Sequence, residues 1–532
     1  MSPDGTKIVY VANEQLYLKN SDELTASPIR GTDEDPSAPF FSPDGQWLGY
    51  YSLRDAQWNK ISIYGGSSVK LCDAGNWASP AWVADDTILS GNIGSIVRIS
   101  LSKETTEEIL KGEENEDFWW PQILPGGKSI LYSQIAEGGG GYQVAVQSFE
   151  SEKPKVLFPG GPARFLPTGH IVYGLENTLT AIRFDPDTLQ TIGGPVSLIE
   201  DVFRLYPDRP THVAISDTGT MVYIPGRMGT IVKGTIVWVD REGREEPIDE
   251  TPRAYDNPKI SPDGTRVAFG ITVDGNKDIW IYDLDRKTLL RLTRDKAIEG
   301  YPIWTPDSKR IIFSSEREGR NRIFWKAADG TGEVEQIAQM TDAWMWPMSL
   351  SKDGNTLFFG QWNSSGRNNI GMLSMEGDHT PKLLLQEEYN ESYPQISPIG
   401  RWLAYTSDES GQNEVYIRPF PDLDSGGLKK VSTSGGYEPL WSPDGQELFY
   451  LSPSDEIMAV SVETNPILKL GTPQHLLDIG MNLGGDIDPE GKRFLAIKKV
   501  ETKEDDSAQS RPRKIIIVTN WFEELKDRVP VD

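Results

Sequence analysis

The side chains best suited to chemistry in this sequence are four histidines, His170, His212, His379 and His475, and they lie far apart along the chain. A catalytic triad or a zinc site needs several such groups at one point. Each histidine falls in a different one of the repeats described below, so we expect structural or solvent-facing roles for His170, His379 and His475. The single cysteine, Cys72, excludes an internal disulfide and a cysteine-rich metal site. The sequence therefore predicts no metal centre.

Motifs for group-transfer chemistry are also missing from the sequence. It contains no glycine-rich phosphate loop, H-R-D or D-F-G, which excludes a protein kinase within this chain. The L-A-I-K-K segment at Leu495 resembles a kinase lysine strand, but it follows a repeat turn and we interpret it as an ordinary strand. The nucleophile elbow G-x-S-x-G is absent, since G-G-S-S-V at Gly65 lacks the final glycine. We predict a protein that is not an enzyme and needs no cofactor.

Aspartate recurs as the third residue of S-P-D-G and of close variants of it, and carboxylates of this kind could bind calcium. The six copies are Asp4, Asp44, Asp263, Asp307, Asp353 and Asp444. A calcium site needs about six to eight oxygens around one ion, whereas these aspartates belong to separate repeats. We therefore predict that each aspartate bonds the backbone of its own turn.

The candidate binding residues lie a few positions before these turns, where an aromatic residue often precedes a proline. Read repeat by repeat, the position holds Ala38, Ser79, Trp120, Pro162, His212, Asn257, Tyr301, Trp346, Tyr393 and Glu438. The predicted ligand-binding residues are Tyr301, Trp346, Tyr393, Glu438 and Trp120, with Trp119 and Trp344 beside them. If their strands converge, they form an aromatic funnel for a peptide, a protein or a glycan. The alternative is that the aromatic rings only pack between neighbouring sheets as part of the core.

The elements that must position these residues are set by the repeat. The third motif position falls at 4, 44, 85, 126, 168, 218, 263, 307, 353, 399, 444 and 490, which gives about twelve repeats spaced 40 to 50 residues apart. Proline and glycine suit the two corners of a tight turn, and each turn is followed by a short apolar or alternating run. This period with four strands per repeat is typical of propeller blades.

Twelve blades exceed the usual size of one ring, about four to eight. We predict an all-β fold of two tandem six-bladed β-propellers with four-stranded antiparallel blades, residues 1–250 and 251–532. The boundary is placed near Glu250, where the sequence becomes polar. Either the two chain ends complete each other's blades, or Met1 lies inside a longer protein. A short C-terminal helix is expected, capped by Asn520 and Glu523 in a capping box and docked on the last blade.

The composition of the chain limits the classes of partner that it can bind. The chain has 532 residues and a formal net charge of −26, which argues against nucleic acid and anionic membranes. It has no apolar run long enough to cross a membrane and no visible signal peptide. From the residues alone, we expect no direct membrane insertion, and a cytoplasmic location if Met1 is the true start.

Several segments carry a resemblance to known proteins: TIVWVDREGREEP from Thr235, TRVAF from Thr265, DIWIYDL from Asp278, SDESGQNEVYIRPFP from Ser407 and NWFEELK from Asn520. The repeats resemble the TolB-type propeller repeat, also found in tricorn protease and in the propeller of dipeptidyl peptidase IV relatives. More narrowly, the whole chain resembles the region after the kinase domain in many bacterial membrane-bound Ser/Thr protein kinases. That resemblance implies paired propellers outside the membrane, a periplasmic location and a sensor or scaffold role. It supplies no catalytic residues.

Two functions remain open at this point. The first is a binding module, the sensor or scaffold part of a bacterial receptor-like kinase system, with an upstream kinase domain in a longer parent chain. The second is a propeller that gates substrates for a separate peptidase of the prolyl-oligopeptidase or tricorn type. The sequence does not name the ligand, because this fold serves many functions.

Overall fold

The computed structural model describes residues 1–530 except 14, 33–35, 53–56, 74–77, 85, 93, 113–117, 136–141, 152, 205–210, 227–232, 274, 318–320, 339–342, 364–366, 388, 424, 426, 465–467, 479–484 and 501–513. The chain divides into two compact units. Unit 1 comprises Met1–Thr230, Ser364–Gly366 and Lys503–Asp532, and unit 2 comprises Ile231–Asn363 and Arg367–Thr502.

Unit 1 begins with twenty-one strands in chain order. They are β1 (Lys7–Ala12), β2 (Gln15–Asn20), β3 (Ser27–Pro28), β4 (Pro36–Phe41), β5 (Trp47–Ser52), β6 (Gln57–Ser62), β7 (Val69–Asp73), β8 (Ala78–Ala84), β9 (Thr87–Asn92), β10 (Ser95–Ser100), β11 (Thr105–Lys111), β12 (Phe118–Ile123), β13 (Ser129–Ile135), β14 (Tyr142–Ser148), β15 (Lys155–Pro159), β16 (Ala163–Leu166), β17 (His170–Leu175), β18 (Thr178–Asp185), β19 (Gln190–Ile199), β20 (Val213–Ile215) and β21 (Met221–Tyr223).

Unit 2 and the C-terminal segment supply the remaining elements. They are β22 (Gly234–Asp240), β23 (Glu245–Ile260), β24 (Arg266–Val273), β25 (Asn276–Asp283), β26 (Thr288–Arg291), β27 (Glu299–Trp304), β28 (Arg310–Ser315), β29 (Arg322–Ala327), β30 (Glu335–Ala338), β31 (Ala343–Leu350), β32 (Thr356–Asn363), β33 (Asn368–Ser374), β34 (Lys382–Leu385), β35 (Glu391–Ile396), β36 (Trp402–Ser407), β37 (Glu414–Pro419), β38 (Lys429–Lys430), β39 (Tyr437–Trp441), β40 (Glu447–Leu451), β41 (Glu456–Glu463), β42 (Lys469–Leu470), β43 (Gln474–Asp478), β44 (Asp486–Ile487), β45 (Arg493–Lys499), β46 (Ile516–Val518) and the helix α1 (Trp521–Arg528).

The strands form small antiparallel sheets in which each strand pairs with its neighbour in sequence. In unit 1 the sheets are β1–β3, β4–β7, β8–β11, β12–β15, β16–β19, and β20–β21 with β46. In unit 2 they are β27–β30, β31–β34, β35–β38, the group β39–β43, and one seven-stranded sheet. The prediction of an all-β fold with four-stranded antiparallel sheets and a short C-terminal helix is confirmed.

The seven-stranded sheet arises because β23 takes part in two four-stranded groups. Its first half pairs with β22, up to Arg253, and its second half pairs with β24 from Ala254. Strand β22 in turn pairs with β45 over its whole length, from Gly234 with Lys499 to Asp240 with Arg493. Strands from the two ends of unit 2 therefore complete one sheet.

The predicted boundary near Glu250 falls within β23, and the structure divides the chain at Thr230 and Ile231 instead. The segment is polar because the first half of β23 is largely exposed and pairs with β22 on one side only. An exposed edge strand and a linker have similar compositions, so polarity did not mark the boundary.

The repeated turns have the predicted structure. In one of them, Ser261 Oγ donates to Asp263 Oδ1 at 2.6 Å, and the backbone N–H of Thr265 donates to the same oxygen at 3.0 Å. Partial burial opposes ionisation, but these hydrogen bonds lower the pKa of Asp263 to about 2. Gly264 follows with a φ of 72°, which favours glycine. Equivalent bonds occur at Asp4, Asp44, Asp307, Asp353 and Asp444.

Within each unit, the turn of the last sheet lies beside the turn of the first. In unit 2, a β-carbon on Gly264 would lie 3.4 Å from Pro489 Cγ. In unit 1, the N–H of Asp217 donates to Pro3 O at 3.0 Å. The hydroxyl of Thr218 also donates to the backbone oxygen of Asp4, at 2.9 Å. The series of sheets therefore returns to its starting point in both units.

The C-terminal segment packs on unit 1, so the expectation that it docks on the last blade was wrong. Strand β46 pairs with β21 along Met221–Tyr223. Helix α1 then buries Trp521 and Leu525 in the core of unit 1. The expected capping box was also wrong: Asn520 has a left-handed φ of 56° and makes no side-chain cap, and Glu523 pairs with Lys526 instead. Among the described residues, no helix is long and apolar enough to span a membrane.

Candidate ligand-binding site

The candidate site of unit 2 is built on its inner strands, meaning the second half of β23 and the strands β27, β31, β35 and β39. Each of them carries a β-bulge where its pairing register shifts. In β27 the shift lies between Gly300 and Ile303, and in β35 it lies between Ser392 and Gln395. A bulge breaks the alternation of a strand and re-aims the side chain it contains.

The bulge residues have left-handed backbone conformations that are unusual for their types. Tyr301, Tyr393 and Glu438 have φ values of 52°, 53° and 52°, and Asn257 has 47°. Such a conformation costs about 1–3 kcal/mol at a residue other than glycine. The surrounding sheets therefore hold these residues in place.

Tyr301, Tyr393 and Glu438 come together at one cavity of about 80 Å³. They stand on three different strands, β27, β35 and β39, and each is half-buried. The wall is completed by polar groups and by apolar side chains from the neighbouring sheets. The remaining lining residues are Asn257, Lys259, Pro302, Ile303, Pro347, Met348, Gln395, Pro439, Leu440, Phe449, Tyr450, Leu451, Ile457, Gly485 and Phe494.

The cavity contains a carboxyl group whose charge changes near neutral pH. Burial raises the pKa of Glu438 to about 7, although the Lys259 cation and the Tyr393 hydroxyl favour the ionised form. Burial, together with the nearby Glu438 carboxylate, raises the pKa of Tyr393 above its usual range, so the phenol stays protonated. The Nζ of Lys259 donates to Gly485 O at 3.1 Å, and its charge also acts on the buried Asp486.

The other predicted site residues lie outside the cavity wall. The ring of Trp346 lies 6.1 Å from that of Tyr301, centroid to centroid, but Pro347 and Met348 line the cavity in its place. Trp344 pairs in register with Trp362 on β32. In unit 1, Trp119 and Trp120 pack on the ring of Tyr142, at 6.1 Å and 5.2 Å.

Lys259 and Gln395 are site residues that were not predicted from the sequence. Each follows a position read from the repeat by two residues, after Asn257 and Tyr393 respectively. A β-bulge in this stretch breaks the alternation of the strand, so the two-residue spacing did not predict that both side chains line one cavity. Asp486 lies on β44, far along the chain from its neighbour Lys259, and no spacing in the sequence indicated this contact.

The three histidines predicted to be structural or solvent-facing differ in their burial and in their contacts. His170 is buried, and its Nε2 lies 2.7 Å from the backbone oxygen of Val529. His379 is half-buried, and its Nδ1 lies 3.1 Å from the backbone oxygen of Ser374. His475 is also exposed, with Nε2 2.6 Å from Asp478 Oδ1.

Comparison with known proteins shows which repeat family the chain is similar to. Residues 236–401 match the model of the TolB beta propeller domain. This part of the chain is similar to TolB-type β-propellers. The Tol-Pal system protein TolB of Helicobacter pylori (strain ATCC 700392 / 26695) is 30% identical over 158 residues, which cover 27% of this chain and 35% of that protein. The uncharacterized peptidase YuxL of Bacillus subtilis is 25% identical over 205 residues, 36% of this chain and 29% of that protein.

Two solved structures also align with the chain, at low TM-scores. TolB from Acinetobacter baumannii aligns with a TM-score of 0.30 and 19% identity, covering 55% of this chain and 78% of that one. The tricorn protease aligns with a TM-score of 0.33 and 12% identity, covering 97% of this chain and 62% of that one. The chain spans about a third of the length of the curated relatives that it matches.

Proposed function

We propose that the chain is a non-catalytic binding module, and that unit 2 captures a basic side chain of a peptide or protein partner. The observation that carries this proposal is the convergence of Tyr301, Tyr393 and Glu438 on one cavity. Aromatic faces and a carboxylate together favour a cation, because the ring faces carry partial negative charge.

The proposed architecture is one six-bladed propeller in each unit. Counting β23 as a member of two groups, unit 2 contains six groups of strands, and unit 1 contains six sheets. The contact between Gly264 and Pro489 supports a closed series in unit 2. A closed ring accounts for the convergence, since it brings equivalent inner strands to one channel.

The size of the cavity favours one inserted side chain over a whole small molecule. About 80 Å³ is far below the volume of about 300–1,000 Å³ that small-molecule pockets have. It corresponds to two or three waters at about 30 Å³ each, or to the end of a lysine or arginine. A glycan is less favoured, because Tyr301, Trp346 and Tyr393 are not among the exposed aromatic residues of the described chain and offer no open stacking platform.

A panel of short peptides tests this function. Acetylated, amidated pentapeptides that differ only in a central Lys, Arg, Ala or Glu would be measured by fluorescence polarisation against the full chain. We expect the Lys or Arg peptide to bind at least about tenfold more tightly than the Ala peptide, as an ion pair in a desolvated pocket does. Glu438→Gln should abolish that preference, and Glu376→Gln, an exposed acid in the same unit, should leave it intact. A preference that survives Glu438→Gln refutes the proposal.

The identity of the larger system is a separate question. The sensor or scaffold part of a receptor-like kinase remains our prediction. The similarity to a protein named as a peptidase, YuxL, favours the second candidate, a propeller that gates substrates for a peptidase. Sequencing the genomic DNA on both sides of this coding region separates them. A kinase domain with a transmembrane helix supports the first, and a hydrolase domain supports the second.

A further inference from the structure

A second candidate site in unit 2 lies on the paired strands β41 and β43, and none of its three residues lines the cavity. Glu456 stands directly opposite Asp478 in the register of these strands, and His475 stands opposite Met458. One donor atom from each of Glu456, His475 and Asp478 can be chosen so that all three lie within 4.8 Å of one another. The imidazole Nε2 and Asp478 Oδ1 are 2.6 Å apart.

A β-bulge is what brings these three side chains to one face. His475 and Asp478 are three residues apart, so in a regular strand they would point to opposite faces. The register shifts between Ile457 and Met458, which leaves Leu476 as an extra residue on β43. Leu476 and Leu477 consequently both pack on the core beside Ile457, while His475 and Asp478 both face the other way.

The arrangement places like charges opposite each other. A glutamate directly across from an aspartate on adjacent strands is destabilising unless a cation lies between them. Glu456 is also held in place, because Ser452 Oγ donates to its Oε2 at 3.1 Å. A hydrogen-bonded carboxylate of this kind is typical of metal ligands, whose orientation is fixed by a neighbouring group.

We propose that Glu456, His475 and Asp478 form a binding site for Zn²⁺ or a similar divalent transition metal. One imidazole nitrogen and two carboxylate oxygens are ligands that zinc accepts, whereas calcium and magnesium bind oxygen ligands only. His475 and Asp478 are exposed, and three protein ligands leave a coordination position open to water or to a partner's side chain. The site does not depend on the proposed function of the cavity.

Titration of the full chain with ZnCl₂ alone, followed by isothermal calorimetry, tests this site. We expect saturable binding that His475→Ala and Asp478→Asn each weaken at least about tenfold, since each removes one ligand. His379→Ala is the matched control, because His379 is a half-buried histidine of the same unit that follows an aspartate, Asp378, but has no carboxylate cluster among the described residues. Its affinity should equal that of the unmodified chain.

A second readout reports the ligand set directly. Co²⁺ in place of Zn²⁺ should give visible absorption whose position and intensity change in Glu456→Gln. Far-ultraviolet circular dichroism would check that every variant is folded. The proposal is overturned if the chain binds no Zn²⁺ at 100-fold molar excess, or if His475→Ala binds it as tightly as the unmodified chain.

Discussion

Replacing Leu525 with alanine tests whether the C-terminal helix stabilises unit 1, although the helix follows unit 2 in sequence. Leu525 is fully buried and packs in a core cluster with Leu166, Val172 and Met221. The substitution removes three buried carbon atoms and leaves a cavity beside α1. A leucine-to-alanine change at such a position costs about 2–5 kcal/mol of unfolding free energy.

Hydrogen exchange measured by mass spectrometry can locate that loss. At about 3 kcal/mol, the opening equilibrium of unit 1 should increase by roughly two orders of magnitude, since about 1.4 kcal/mol is tenfold. Amides of β17 and β18, which open with the core of unit 1, should exchange faster by that factor. Amides of β40 and β41 in unit 2 should keep their rates.

Two control variants make the result specific. Leu448→Ala removes an equally buried leucine from unit 2. It should accelerate exchange in β40 and β41 and leave the rates in β17 and β18 unchanged. Glu524→Ala changes a helix residue whose ion pair with Arg528 is solvent-exposed, and such pairs contribute at most about 1 kcal/mol. If Leu525→Ala accelerates exchange in β40 and β41 but not in β17 and β18, the assignment of the helix to unit 1 is refuted.

Three further outcomes follow from the same contacts. A fragment of residues 231–502 should melt cooperatively in circular dichroism. A fragment of residues 251–532 should not, because it lacks β22 and part of β23, which complete the seven-stranded sheet. Equal stability of the two fragments would contradict the pairing of β22 with β23 and β45. The pKa of Glu438 rises from 4.5 to about 7 on folding, so its protonated form stabilises the fold below pH 4.5 and this contribution is lost as the pH rises through 7. Urea unfolding should show that the free energy of unfolding of the unmodified chain falls over this pH range relative to that of Glu438→Gln. Parallel pH profiles of the two proteins would argue against the raised pKa of Glu438. Gly264→Val should cost about 1–3 kcal/mol because of its left-handed φ. Gly194→Val should cost less, since Gly194 has no left-handed φ and no atom within 4 Å of its missing β-carbon; equal losses in thermal melts would remove the special role of the repeat turn.

The repeat turns were predictable because their cause is local. Proline, aspartate and glycine each determine one part of the turn, and the hydrogen bonds within the turn join residues at most five apart. The sheet that joins β22 to β45 depends instead on contacts more than 200 residues apart, such as Gly234 with Lys499. No local pattern specifies those pairs, so the division into units could not be located from composition.

The candidate site was predicted in part for a related reason. Equivalent positions in a repeat are expected to converge in space, and Tyr301, Tyr393 and Glu438 line one cavity. Trp346 differs because the register of its strand shifts between Pro347 and Ser349, later than in the neighbouring strands. The ring therefore stays in the paired part of β31, and Met348 lines the cavity. A one-residue change in the position of a bulge leaves no mark in the sequence.

The left-handed backbone at these positions is not by itself evidence of binding. Unit 1 has the same conformation at Ala38, Ser79 and Trp120, with φ between 44° and 54°. Two of these side chains are too small to form an aromatic or charged wall. The bulge is thus a property of the repeat, and in each inner strand it leaves one residue outside the regular pairing with the next strand. Unit 2 places Tyr301 and Glu438 there, and the binding hypothesis rests on that choice of side chains.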